Sequence, residues 1–211
     1  MPAQTLPKTR LLAAILGGLV AATPALAHHP MGGMTPETLT QGLLSGLGHP
    51  VIGLDHLAAL VGVGLVASRF ARGLMLPAFW IIAMAAGVGL HLMSADLPHA
   101  ETLVALSVVA IGIAGTMRTT LPYALIGLLF AAGGAVHGYA LGESIIGAET
   151  APLAAYLVGL AAVQTALTTG IAIAARSVAK GSLAAPSLQL RLAGLAVAVT
   201  GAAFLALPAV A

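Results

Sequence analysis

The sequence predicts an all-α, polytopic integral membrane protein with six transmembrane helices after a cleaved signal peptide. Of its 211 residues, 59% are hydrophobic and only 7% are charged. Soluble domains carry about 25% charged residues, so this chain lacks the polar surface that contact with water requires. Apolar stretches of bilayer-spanning length, about 20 residues, recur along it. Backbone groups cannot remain unpaired in lipid, so these stretches must be helices.

The first 27 residues have the pattern of an export signal. Lys8 and Arg10 form a positive n-region, and an uninterrupted apolar run follows over residues 11–22. Residues 23–27 read TPALA, which is a small-residue cleavage site of the A-x-A type. We therefore expect cleavage before residue 28, with an uncleaved first transmembrane helix as the alternative.

The expected mature chain has an exported N-terminal segment over residues 28–38 and a membrane domain over residues 39–211. The first apolar stretch of this domain is too long for a simple crossing. It contains Pro50, which removes a helical hydrogen bond and clashes with the preceding turn, so we expect a broken or kinked helix at His49–Pro50. The six stretches lie near 39–67, 74–95, 101–117, 121–142, 151–175 and 189–210.

The distribution of charge predicts the orientation in the membrane. Loops that contain Lys and Arg face the cytoplasm, and every basic residue of the expected mature chain falls in loops on one side. Every acidic residue except Asp55 falls on the other side. We therefore expect a bacterial inner-membrane protein with both mature termini on the exported side. This topology accounts for the net charge of +2 without a nucleic-acid partner.

Cysteine and two common catalytic motifs are absent from the sequence, and this excludes several kinds of site. The chain has no cysteine, which excludes disulfides, thiolate metal sites and cysteine nucleophiles. It also has no G-x-x-x-x-G-K-[ST] phosphate loop and no G-x-S-x-G nucleophile elbow. We therefore expect a protein that is not an enzyme and carries no ATPase of its own.

The ionisable residues within the apolar stretches are the candidates for function. Insertion of an aspartate at a helix centre costs at least about 2.5 kcal/mol, so Asp55 needs a partner or a functional role. His56 is its neighbour and His49 lies seven positions earlier. We interpret these residues as a cation-handling cluster, with a purely structural Asp–His lock between helices as the alternative.

The spacing of the two histidines limits how they can act. Seven residues of straight helix separate His49 and His56 by about 10.5 Å of rise, which is too far for both to ligate one ion. Either the break at Pro50 folds them together, or they mark successive positions along a path. We favour the second reading, with a gate at His49 followed by a transfer pair of Asp55 and His56. Imidazole ligands suit nickel, copper, iron and zinc.

Other histidines extend the candidate set. His137 lies late in the fourth stretch, on the same predicted side of the membrane as His49, and Glu143 follows at the membrane edge. The alternative for His137 is a histidine that serves only in packing. His28 and His29 would begin the mature chain, where an α-amine and imidazoles could capture a metal ion; a disordered terminus without such a role is the alternative. For His91 and His99 we favour a structural role at the membrane interface.

Two motifs resemble signatures of the HupE/UreJ family of nickel/cobalt permeases. HPVIGLDH at residues 49–56 resembles the family's H-x5-D-H signature, and HGYALG at residues 137–142 resembles part of an F-H-G-x-A-x-G-x-E stretch. The resemblance implies a secondary transporter that imports nickel or cobalt to supply urease, hydrogenase or cobalamin synthesis. The metal would be the substrate, and no cofactor would be bound permanently.

The second motif departs from the family pattern at three positions. Val136 replaces the aromatic residue, Leu141 stands where relatives often have histidine, and the expected acid falls at Ser144 with Glu143 one residue early. A slip of one residue rotates a side chain by about 100° around a helix. We therefore expect a second site that is weaker, altered in metal preference, or restored by local unwinding near Gly142, and Glu143 is kept as a candidate ligand.

A function of a different class is also compatible with the sequence. Histidines on separate membrane helices could serve as axial ligands of haem in an electron-transfer protein. His56, His91 and His137 are the residues that this alternative would use.

Overall fold

The computed structural model describes residues 34–179 and 186–206. Within these ranges the chain consists of seven α-helices and two short 3-10 turns, and it has no strand, so the all-α prediction is confirmed. The expected signal peptide, together with His28 and His29, lies outside the described residues. The helices are α1 (Leu39–Ile52), α2 (Leu54–Ala67), α3 (Leu76–Leu92), α4 (Ala100–Thr116), α5 (Tyr123–Gly142), α6 (Thr150–Val178) and α7 (Leu188–Ala206).

The length and apolar character of the helices confirm a membrane protein. Four continuous helical segments of the described chain are long and apolar enough to cross a bilayer, and they contain α3, α5, α6 and α7. Helices α1 and α2 form a fifth candidate span if the bent pair is counted as one. Helix α4 is apolar but has only 17 residues. A sixth crossing at α4 therefore stays a prediction.

The break in the first predicted span lies at Gly53. A capping box between Thr38 and Gln41 starts α1, and the helix continues through Pro50 to Ile52. Gly53 then adopts an extended conformation, and α2 leaves at an angle of 78° to α1. The predicted break is present, but it lies three residues beyond Pro50. Gly53 still donates its N–H to the carbonyl of His49 at 3.0 Å, so α1 remains hydrogen-bonded to its end.

Helix α2 occupies the centre of the bundle. Its residues from Ala58 to Ala67 are almost all buried, and it packs against α4, α6 and α7. Around it the longest interfaces pair α3 with α5, α4 with α7, and α1 with α6. Each of these pairs is brought together by glycine, which lets backbones approach closely where lipid removes the hydrophobic drive for helix association.

Arginine side chains tie the loops together at one end of the bundle. Arg69, Arg176 and Arg191 were all predicted to lie on one side of the membrane, and in the structure they donate to carbonyls at the ends of neighbouring helices. The acceptors are Ala114 and Arg118 for Arg69, Ser68 and Phe70 for Arg176, and Thr116 for Arg191. The topology prediction put these loops on the same side of the membrane. In the structure these contacts hold them next to one another.

The interface between α3 and α5 generates a prediction about stability. A Cβ atom on Gly87 would clash with the carbonyl oxygen of Ala135, whereas a Cβ on Gly89 of the same helix would meet nothing within 4 Å. We expect Gly87→Ala to destabilise the protein by about 1–3 kcal/mol through overpacking. Gly89→Ala should leave stability unchanged or raise it. Thermal unfolding of the two variants in the same detergent checks this pair, and equal melting temperatures would contradict it.

Candidate metal centre

The helix break at Gly53 brings the residues of the first motif together. His49 lies in the last turn of α1, and Asp55 and His56 lie in the first turn of α2. The rings of His49 and His56 are stacked with their centroids 5.9 Å apart and their planes within 12° of parallel. The rise of about 10.5 Å that a straight helix would put between these two residues is therefore absent. The structure has the folded-together arrangement, and the reading of His49 and His56 as widely spaced stations was wrong in its geometry.

Asp55 binds its neighbour through two hydrogen bonds. Its Oδ1 accepts the backbone N–H of His56 at 2.8 Å and lies 2.9 Å from the Nδ1 of the same residue. The side chains are buried, with Asp55 6% and His56 4% exposed. The position of Asp55 in the first turn of α2 also favours a carboxylate, because a helix N-terminus carries partial positive charge.

His137 of α5 completes a cluster of three imidazoles. Its ring meets that of His56 edge to face, with the centroids 4.8 Å apart. The residue is only 1% exposed, and its Nε2 lies 3.0 Å from the hydroxyl of Ser107 on α4. The two motifs that are remote in sequence therefore meet in space.

Two hydroxyl groups, those of Ser144 and Tyr156, lie next to the Nδ1 of His49. The Nδ1 of His49 lies 3.1 Å from the Oγ of Ser144 and 3.3 Å from the hydroxyl of Tyr156. Tyr156 is fully buried and donates to the carbonyl of Leu141 at 2.7 Å. Glu143 is exposed. Ser144, and not Glu143, is therefore the residue after the second motif that contacts the cluster.

Trp80 of α3 closes the cluster behind His137. The indole ring packs against the imidazole with a centroid distance of 4.8 Å. Its N–H donates to the side-chain oxygen of Gln164 on α6 at 2.7 Å, and both residues are 1% exposed. Sequence reasoning missed Trp80, Gln164, Ser107 and Tyr156. A glutamine within the apolar stretch 151–175 was the signal that could have pointed to a polar centre there.

Comparison with known proteins identifies the family of the chain. The family model for HupE / UreJ protein matches residues 15–204, which is most of the chain. The chain belongs to the HupE/UreJ family. It is 32% identical over 187 residues to Protein HupE of Rhizobium leguminosarum bv. viciae, covering 87% of this chain and 92% of that protein. No solved structure matches it.

The remaining histidines of this HupE/UreJ family member lie away from the cluster or outside the described residues. His91 packs against Tyr139 with a ring-centroid distance of 4.4 Å. His99 stands in the left-handed region with φ 59° at the start of α4. The structural role at the membrane interface stays a prediction for both. The positions of His28 and His29 fall in the part of the chain that is not described.

The donor set of the cluster consists of imidazole nitrogens and one carboxylate. Such a set without sulfur suits nickel, iron, zinc or copper(II) better than copper(I). In the described ranges no three His, Asp or Glu side chains converge closely enough to hold an ion as they stand. Ligation of one ion would therefore require a shift of the rings. His56 and His137 touch edge to face, which leaves no space for a porphyrin between them.

The bond between Trp80 and Gln164 provides a test of the packing behind the cluster. Gln164→Leu leaves the buried indole N–H without an acceptor, and an unsatisfied buried donor costs about 1–3 kcal/mol. We therefore expect a lower melting temperature. Thr165→Val on the same helix removes an exposed hydroxyl and should change little. Equal stability of Gln164→Leu and Thr165→Val would show that the bond contributes nothing.

Proposed function

We propose that this protein is a secondary transporter that imports nickel or cobalt ions across the bacterial inner membrane to supply metalloenzymes such as urease or hydrogenase. One observation carries the proposal: the helix break gathers His49, Asp55, His56 and His137 into one buried cluster in a member of the HupE/UreJ family. Ionisable residues within membrane helices are rare and mark ion pathways.

The proposed path runs from the exported side to the cluster. His28 and His29 would capture the ion outside the membrane, and Glu143, which is exposed directly after α5, would add negative charge on that side. His49 and His137 would then replace part of the hydration shell of the ion. His56, held by Asp55, would receive it for transfer towards the cytoplasm.

The membrane potential supplies a driving force for this direction of transport. Moving one elementary charge inward through 100 mV releases about 2.3 kcal/mol, and a divalent cation gains about twice this amount. No phosphate-binding loop is needed for such a process. In the proposed orientation the arginine-rich end of the bundle faces the cytoplasm, in agreement with the positive-inside rule.

Replacement of the central pair tests the transport function. We expect Asp55→Ala and His56→Ala to abolish nickel and cobalt uptake at low external metal, because each removes a buried member of the cluster. Uptake of the two metals is measured side by side in a host that lacks its own transporters, and urease or hydrogenase activity provides a second readout. His91→Ala is the matched control and should retain uptake. Full uptake by Asp55→Ala or His56→Ala would refute the proposed role.

The position of Trp80 offers a direct test of metal binding. The chain has one tryptophan, and it lies 4.8 Å from the ring of His137. Nickel or cobalt bound at the cluster should quench its fluorescence in a saturable manner, because these ions are efficient short-range quenchers. His137→Ala should abolish the saturable component. Quenching that rises linearly with metal in both proteins would argue against a site at this position.

A further inference from the structure

The hydroxyl of Ser107 fixes the position of a proton on His137. Ser107 donates its single hydrogen to the carbonyl of Val104 at 2.7 Å, and its oxygen lies 3.0 Å from the Nε2 of His137. A hydroxyl has one hydrogen to donate and two lone pairs that accept. The carbonyl of Val104 can only accept, and it is the nearer of the two partners, so the hydrogen of Ser107 is assigned to it and the oxygen accepts from His137. The opposite assignment would place the N–H of His137 on Nδ1, where it has no acceptor in the described part of the chain. The Nε2 of His137 therefore carries the N–H.

The other nitrogen of His137 is then a lone-pair donor without a partner. In a neutral imidazole one nitrogen is protonated and the other is not, so Nδ1 is the unprotonated atom. This Nδ1 is buried and has no hydrogen-bond partner in the described part of the chain. Buried polar atoms without a partner are rare, and each one calls for an explanation. A nitrogen that is kept available for a cation provides one.

The same pattern of support recurs at the other two histidines of the cluster. The Nδ1 of His56 faces the carboxylate of Asp55 at 2.9 Å, which makes it the protonated nitrogen. The Nδ1 of His49 faces the hydroxyls of Ser144 and Tyr156. Both hydroxyls have the carbonyl of Leu141 as an acceptor, at 3.1 and 2.7 Å. Their oxygens can therefore accept from His49. Metal-binding histidines typically donate their second N–H to such an outer partner, which sets the tautomer and the ring orientation.

We propose that Ser107 is a positioning residue that holds His137 as the Nε2–H tautomer, so that Nδ1 is the nitrogen presented to the transported cation. This inference rests on the proposed function for its metal. Ser107 itself does not touch the ion. Helix α4, which contributes no imidazole to the cluster, takes part in binding through this one hydroxyl.

The proposal is tested first on the metal-free protein. Nitrogen NMR of the full chain, labelled with ¹⁵N-histidine and assigned with His137→Ala, distinguishes Nε2–H from Nδ1–H imidazole. The expected result is an Nε2–H tautomer for His137 in the wild type and in Ser107→Thr, and a mixture of tautomers in Ser107→Ala. An Nδ1–H tautomer in the wild type overturns the proposal, whatever the variants do.

Metal binding provides the second measurement. Loss of an outer hydrogen-bond partner typically costs 10- to 100-fold in metal affinity, and we expect a loss of this size for Ni²⁺ and Co²⁺ in Ser107→Ala. The visible absorption spectrum of bound Co²⁺ should also change. Ser107→Thr should rescue both properties. Ser177→Ala is the matched control, because Ser177 likewise donates to a carbonyl of the preceding turn, that of Ile173, but contacts no histidine.

The outcomes separate this inference from the proposed function. Wild-type affinity and an unchanged Co²⁺ spectrum in Ser107→Ala overturn the role of Ser107 while leaving transport intact. A wild-type protein that binds neither metal overturns the proposed function and the metal-presenting role together. The tautomer of His137 is still decided in that case by the metal-free NMR measurement.

Discussion

The change of direction at Gly53 is the feature on which the rest of the site depends. A straight helix would hold His49 and His56 about 10.5 Å apart along its axis, and no choice of rotamers would bring them to one ion. The 78° bend places their rings 5.9 Å apart and leaves the new helix N-terminus beside Asp55. Irregular backbone at membrane depth is tolerated only where protein or a water-filled cavity surrounds it, and here Gly53 is buried within the bundle.

The cluster is held by two kinds of support. Aromatic and amide groups fix its inner wall, where Trp80 binds Gln164 and packs on His137. Oxygen atoms lie at hydrogen-bond distance from the imidazole nitrogens and fix the orientations of the rings. They belong to Asp55, Ser107, Ser144 and Tyr156. In a medium without water each of these polar groups must find its partner within the protein, so the site is built from contributions of α1, α2, α3, α4, α5 and α6. Because six helices contribute residues to the site, a short sequence motif identifies only part of it.

The sequence predicted the helices well, because hydrophobicity and length suffice to locate segments in lipid. The predicted stretch 101–117, for example, is observed as Ala100–Thr116. The break was expected at Pro50 but occurs at Gly53, since the helix tolerates the proline and yields where the glycine costs little. Ser144, Trp80 and Gln164 could not be assigned in advance. Their roles depend on which helix faces which, and a one-dimensional pattern of apolar residues does not encode the rotation of each helix about its axis.

The central position of α2 has a consequence for how the protein is made. Helix α2 has 14 residues, fewer than the roughly 20 needed to span a bilayer alone, and it contains both Asp55 and His56. Two of the helices that bury it, α6 and α7, are the last two helices of the described ranges. During synthesis α1 and α2 are therefore made before two of the helices that bury α2 in the finished bundle. The surroundings of the histidine cluster are in this sense completed only when the bundle itself is completed.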